Sequence, residues 1–125
     1  MTHFERGLYA DPEADHAGRW WDLVERFQQI RRPDGRTAPD WAAKIHVALA
    51  PVYYQNYLYG ELVASQLQAM LRERAGGIVD RVEAGSILVN ELFRPGLAVR
   101  WDALVEQATG EPLTARHLAA ELRAV

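Results

Sequence analysis

Apolar residues recur along most of the chain at three- and four-residue steps, which is the period of an α-helix. The clearest run covers about residues 15–30, and its apolar positions are Trp20, Leu23, Val24, Phe27 and Ile30. Residues 31–35 hold two arginines, a proline and a glycine, so they are predicted to end this helix. The pattern therefore indicates an amphipathic helix in the first quarter of the chain.

The rest of the chain divides into further helical runs separated by proline and glycine. The predicted elements are a short turn near residue 39, a long helix over about 53–75, and helices over about 79–93, over about 101–108 and from 114. Gly76-Gly77 closes the long helix, and Thr114 is a good N-cap. No segment alternates apolar and polar residues for long. The sequence therefore predicts one all-α domain over residues 1–125, an irregular bundle of about five or six helices with one long central helix.

Composition and charge narrow the class of protein. The 125 residues are 49% hydrophobic, which is enough for a core, and the net charge of −3 argues against a nucleic-acid partner. The absence of cysteine excludes disulfides and thiolate metal sites. No apolar window reaches the roughly 18 residues of a membrane span, and no signal core is visible at the N-terminus. We expect no membrane partner, and the compartment stays open.

A polar stripe on the long helix is the first candidate for chemistry. At 100° per residue, one line along this helix is formed by Tyr54, Tyr57, Glu61 and Ser65. Lys44, the single lysine beside thirteen arginines, and His46 lie about ten residues upstream. An ammonium, an imidazole and two phenols can bind a carboxylate and a peptide backbone. The plain alternative is a solvated helix face, or tyrosines packed in the core with satisfied hydroxyls.

No catalytic motif accompanies these residues. The four histidines are His3, His16, His46 and His117, and none belongs to a His-Glu-x-x-His zinc motif. There is no Gly-x-Ser-x-Gly elbow and no glycine-rich phosphate loop. A metal site assembled from histidines 3, 16 or 117 and nearby carboxylates is less favoured than scattered surface histidines. We therefore expect no metal bound to this chain alone.

Residues 44–57, KIHVALAPVYYQNY, place Lys-x-His before a proline-containing link and a Tyr-x-x-Tyr pair at the start of a long helix. Further motifs follow in order, namely LFRPG at 92–96, Trp101 and ATGEPL at 108–113. Upstream, HFERGLY at 3–9 and WWDLVE at 20–25 complete the series. Over essentially its whole length the chain resembles the C-terminal portion of bacterial zinc peptidyl-dipeptidases of the angiotensin-converting-enzyme family, which are metallopeptidases.

The resemblance implies a role for four residues. Tyr57 matches the tyrosine that stabilises the oxyanion of the tetrahedral intermediate. Lys44 and Tyr54 match the pair that holds the free C-terminal carboxylate of the substrate. His46 matches a histidine that contacts the substrate backbone. The parent enzyme would bind zinc as its cofactor and release dipeptides from the C-termini of oligopeptide substrates by proteolysis.

The chain departs from the family at the centre of the chemistry. The zinc motif and the later glutamate ligand are absent, and the chloride-binding arginine of animal members is Asn56 here. We therefore expect an isolated chain without activity, which needs a missing N-terminal part or a second chain. The alternatives are one half of a split peptidase or a non-enzymatic helical interaction module. Both predict apolar surface that pairs with another chain or forms a homo-oligomer.

Overall fold

The computed structural model describes residues 1–124, and it contains no β-strand within them. The seven α-helices within this range are α1 (Thr2–Ala10), α2 (His16–Gln28), α3 (Ile45–Ala48), α4 (Gln55–Ala75), α5 (Val82–Ile87), α6 (Trp101–Thr109) and α7 (Arg116–Arg123). Short 3-10 segments cover Asp40–Ala43 and Gly96–Ala98, and a π-helical segment covers Leu88–Phe93. The predicted all-α class with one long helix is confirmed. The apolar pattern did not predict α1, which is nine residues long.

The helices pack into two units, Met1–Asn56 and the part that begins at Tyr57. In the first unit, the core is built around the ring of Phe4, which is completely buried. Its centroid lies 5.4 Å from Trp20, 5.4 Å from Trp41 and 6.0 Å from His16. These contacts join α1, α2 and the first 3-10 segment. Such aromatic clusters combine large apolar burial with favourable ring geometry.

The ends of α2 have local causes. The side chain of Asp15 accepts a hydrogen bond from the backbone N–H of Gly18 at 2.8 Å, as an N-cap does. Gln29 adopts the left-handed conformation with φ of 57°, which ends the helix before the predicted Ile30. The predicted start is therefore confirmed within one residue, and the end comes two residues early.

In the second unit, the core consists of Met70, Leu71 and Ala84, against which α5 and the π-helical segment pack through Ile87 and Leu88. The long helix α4 ends as expected at a glycine pair. Gly76 and Gly77 have φ of 71° and 124°, a region that glycine adopts without steric cost.

Two predicted helix starts differ from the structure of the second unit. The helix predicted from about residue 79 begins at Val82, because Asp80 takes a left-handed φ of 55°. The last helix begins at Arg116 rather than immediately after Thr114. The predicted N-cap at Thr114 is wrong by one residue, because Ala115 holds that position, while the hydroxyl of Thr114 accepts a hydrogen bond from the Arg116 N–H at 3.2 Å.

Candidate functional site

The predicted site residues lie on three successive elements. Lys44 lies between the first 3-10 segment and α3, and His46 belongs to α3. Tyr54 directly precedes α4. All three residues lie in the first unit, which ends at Asn56. Tyr57 lies in the first turn of α4, where the second unit begins, and its side chain is half exposed.

The rings of His46 and Tyr54 are in contact. Their centroids are 5.1 Å apart and their planes meet at 87°, which is the favourable edge-to-face arrangement. The contact spans the link that contains Pro51, so it fixes the end of α3 relative to the residue before α4. The structure therefore brings together two of the residues that the sequence singles out.

The ammonium of Lys44 lies over the ring of Trp20, with Nζ 5.8 Å from the ring centroid. At this distance the ring attracts the cation, which holds the lysine against α2. Lys44 also lines an open groove of about 400 Å³ together with both tryptophans of α2, Arg36 and Asp40. The groove thus combines aromatic surface with charged groups.

Charge in this groove is organised around Asp40. Its carboxylate is paired with Arg36 and accepts a hydrogen bond from the indole N–H of Trp21 at 3.1 Å. The hydrogen bond from Arg36 lowers the pKa of Asp40 below its ordinary value, and the charge of Lys44 lowers this pKa further. Asp40 is therefore an anion that Arg36 already neutralises, and Lys44 adds a second positive charge to the groove.

Tyr54 lines a second and smaller cavity of about 170 Å³. His3 and Phe27, whose rings stack at 5.3 Å, form another part of this wall. Trp20 lines both cavities, as do Val24 and Gln28. Lys44 and Tyr54 thus line different cavities with a common wall, whereas the resemblance assigns them to one carboxylate.

The turn between α3 and α4 has an unusual backbone. Val52 has a φ of 55°, which is rare for a side chain branched at Cβ. Its N–H donates a hydrogen bond to Oε1 of Glu5, and its carbonyl accepts one from Nε2 of Gln55 at 2.6 Å. Sequence reasoning did not identify Glu5. The available signal was an acidic residue beside the apolar Phe4, on a helix that the apolar pattern missed.

The histidines outside the predicted site have structural contacts. His3 stacks on Phe27, His16 is buried with Nε2 3.0 Å from the carbonyl of Pro12, and Nε2 of His117 lies 2.7 Å from Glu111. Within residues 1–124, no group of three or more His, Cys, Asp or Glu side chains is arranged to hold a metal ion. The described residues therefore do not form a zinc site of the kind that the resembled family uses.

None of the helices formed by residues 1–124 has the length and apolarity needed to cross a membrane. Comparison of the chain with protein-family models, with curated proteins and with solved structures finds no match in any of the three.

Proposed function

We propose that this chain is the substrate-binding portion of a zinc peptidyl-dipeptidase that releases dipeptides from oligopeptide C-termini. By itself it has no hydrolytic activity. The observation that carries the proposal is the edge-to-face contact of His46 with Tyr54 at 5.1 Å, between two residues that the family motif places on either side of the proline link. The ordered series of motifs along the chain supports the same assignment.

The roles follow from the chemistry of each group. The ammonium of Lys44 attracts the terminal carboxylate of a peptide, and the phenol of Tyr54 donates a hydrogen bond to such an oxygen. His46 contacts the peptide backbone nearby. Tyr57 donates to the oxyanion that develops during attack on the peptide carbonyl. Zinc would activate water in the parent enzyme, and residues of an N-terminal part or of a second chain would hold it.

Because Lys44 and Tyr54 line separate cavities, the proposal includes a change of rotamer that brings both side chains to the same carboxylate. The side chain of Lys44 has the larger freedom, since a flexible four-carbon stem carries its ammonium. The stacking on Trp20 is the contact that it would give up. The proposal thus includes a movement of Lys44 from the indole towards the substrate.

A titration with the dipeptide Ala-Phe tests the proposal. The isotopically labelled chain is followed by NMR while Ala-Phe with a free C-terminus is added. Ala-Phe amide, which lacks the terminal charge, is the matched probe. We expect weak, saturable shifts at Lys44, His46 and Tyr54 with the free acid and much smaller shifts with the amide. Equal shifts with both probes, or none with either, would contradict the proposal.

A second candidate function is a helical interaction module without catalysis. The observation that favours it is a series of exposed apolar side chains between residues 89 and 101 of the second unit, namely Val89, Phe93, Leu97 and Trp101. Leu97 is fully exposed and Phe93 is 71% exposed. Exposed apolar surface of this kind is typical of a site for another protein chain. Sedimentation velocity at high micromolar concentration tests it, and a monomer throughout would count against self-association.

A further inference from the structure

We propose that Glu5 is a positioning residue, which holds the turn before α4 in its left-handed conformation and thereby presents Tyr54 to the substrate. The inference rests on the proposed function only for the role of Tyr54. The contact between Glu5 and the turn is independent of that function.

The carboxylate of Glu5 is buried and needs hydrogen-bond donors. Glu5 is only 5% exposed, and a buried carboxylate is costly unless hydrogen bonds compensate for its lost hydration. Its Oε1 accepts the backbone N–H of Val52 and lies 3.4 Å from the hydroxyl of Tyr9. Of these two partners, the Val52 N–H is the close one and comes from 47 residues away in the chain. Glu5 therefore links α1 to the turn before α4.

The left-handed conformation of Val52 needs a restraint. A φ of 55° is sterically unfavourable for a residue branched at Cβ, so the surroundings must hold it in place. Packing of its side chain does not supply this restraint, because Val52 is 61% exposed. The restraint comes from the backbone, whose N–H is bound by Glu5 and whose carbonyl is bound by Gln55. Of these two partners, Glu5 is the one that lies far away in the chain, on α1.

The turn at Val52 determines the position of Tyr54. Val52 lies two residues before Tyr54, and the Asn56 N–H donates to the carbonyl of Tyr53 at 2.9 Å to begin α4. With Val52 held on one side and the helix begun on the other, the direction in which the Tyr54 side chain leaves the backbone is fixed. The ring contact with His46 at 5.1 Å is the result. If Val52 relaxed to a negative φ, the chain entering α4 would turn and this contact would be lost.

The test compares Glu5→Ala with Glu5→Gln, which retains an oxygen acceptor at the same position. Tyr9→Phe is the matched control. It removes the contact between the Tyr9 hydroxyl and Glu5 and leaves the hydrogen bond from the Val52 N–H intact. Two readouts are followed by NMR, the amide proton shift and exchange protection of Val52, and the affinity for Ala-Phe measured at His46 and Tyr54.

We expect Glu5→Ala to lose the exchange protection of the Val52 amide and to move its proton signal upfield. If the left-handed turn is then populated about one tenth of the time, the apparent affinity for Ala-Phe falls about tenfold. Glu5→Gln keeps most of both properties, and Tyr9→Phe keeps both. Adding Val52→Gly to Glu5→Ala restores affinity, because glycine adopts a positive φ without steric cost.

Three outcomes overturn the inference. They are an unchanged Val52 amide in Glu5→Ala, an unchanged affinity for Ala-Phe in that variant, and no rescue by Val52→Gly. If Glu5→Ala does not fold, Glu5→Met takes its place, because methionine fills a similar volume without an oxygen acceptor, and unchanged Val52 protection in Glu5→Met refutes the role. If the unaltered chain does not bind Ala-Phe, the proposed function fails, while the Val52 amide still tests the contact with Glu5.

Discussion

Replacement of Gln66 by leucine tests how the second unit is held together. Gln66 is 1% exposed, and its side-chain amide joins α4 to the connection between α6 and α7. Its Nε2 donates to Thr109 Oγ1 at 2.9 Å and to the carbonyls of Glu111 and Pro112 at 3.1 and 3.3 Å. Its Oε1 accepts the backbone N–H of Thr114 at 3.0 Å. One buried amide therefore contacts four polar groups, one at the end of α6 and three in that connection.

The loss of unfolding free energy in Gln66→Leu depends on which of these four polar groups keeps another hydrogen-bond partner. The hydroxyl of Thr109 still donates to the carbonyl of Val105 at 2.8 Å, and it also lies 3.1 Å from the carbonyl of Glu111. The Thr114 N–H and the Pro112 carbonyl lose the partner that Gln66 provides. Pro112 is exposed, so water can replace the partner of its carbonyl, whereas the Thr114 N–H is partly buried. An unsatisfied buried group costs about 1–3 kcal/mol, so leucine should destabilise the unit by about that amount. That is a large share of the roughly 5–15 kcal/mol that is usual for a domain.

Urea unfolding followed by circular dichroism measures the change, and hydrogen exchange at the Thr114 amide locates it. Gln107→Leu is the matched control, because it makes the same exchange at an exposed position of α6. Surface substitutions of this kind usually change stability by less than about 0.5 kcal/mol. If Gln66→Leu and Gln107→Leu unfold at the same urea concentration, the amide does not stabilise the connection and the reasoning is wrong.

Three further predictions concern Phe4, Arg74 and Leu97. Phe4→Ala should destabilise the first unit by about 3–5 kcal/mol in urea unfolding, because it empties the centre of the aromatic cluster, whereas Tyr9→Phe should have little effect. The hydrogen bond from Arg74 lowers the pKa of Glu91, so this pair stabilises the fold above the ordinary Glu value of 4.5 and loses that contribution as the pH falls through the lowered pKa. Arg74→Met should therefore flatten the acid limb of stability against pH, and an unchanged limb would contradict this. Leu97→Ser should reduce the concentration dependence of the sedimentation coefficient without lowering the urea midpoint, since Leu97 is fully exposed.

Much of the helical fold could be predicted from the sequence, because apolar period and helix breakers agree over most of the chain. The long helix ends at Gly76-Gly77 as predicted, because glycine adopts the left-handed conformation of a helix end without a steric penalty. Two of the boundary errors fall where a residue other than glycine takes a left-handed φ, as Gln29 and Asp80 do. Local propensity disfavours that conformation, so no sequence rule would place a helix boundary at these two residues.

The candidate site was less accessible to sequence reasoning. The spacing of Lys44, His46 and Tyr54 could be read directly, but their mutual positions depend on the turn at Val52. That turn exists because Glu5, 47 residues earlier, accepts the Val52 N–H. A contact of this range has no local signature, and a buried glutamate contradicts the usual preference for exposure. The division of Lys44 and Tyr54 between two cavities is a tertiary result for the same reason.

The two candidate functions draw on different residues of the chain. In the first unit, exposed apolar residues such as Leu49, Val52 and Tyr53 flank the turn that carries Tyr54, where a bound peptide can cover them. In the second unit, the exposed series that includes Phe93 and Leu97 contains none of the predicted substrate-binding residues. Binding of a peptide does not explain why that series is apolar. Binding of a protein partner does, because burial of apolar surface is the main favourable contribution to the free energy of association. A peptidase portion completed by another polypeptide accounts for both surfaces, and an interaction module accounts only for the second.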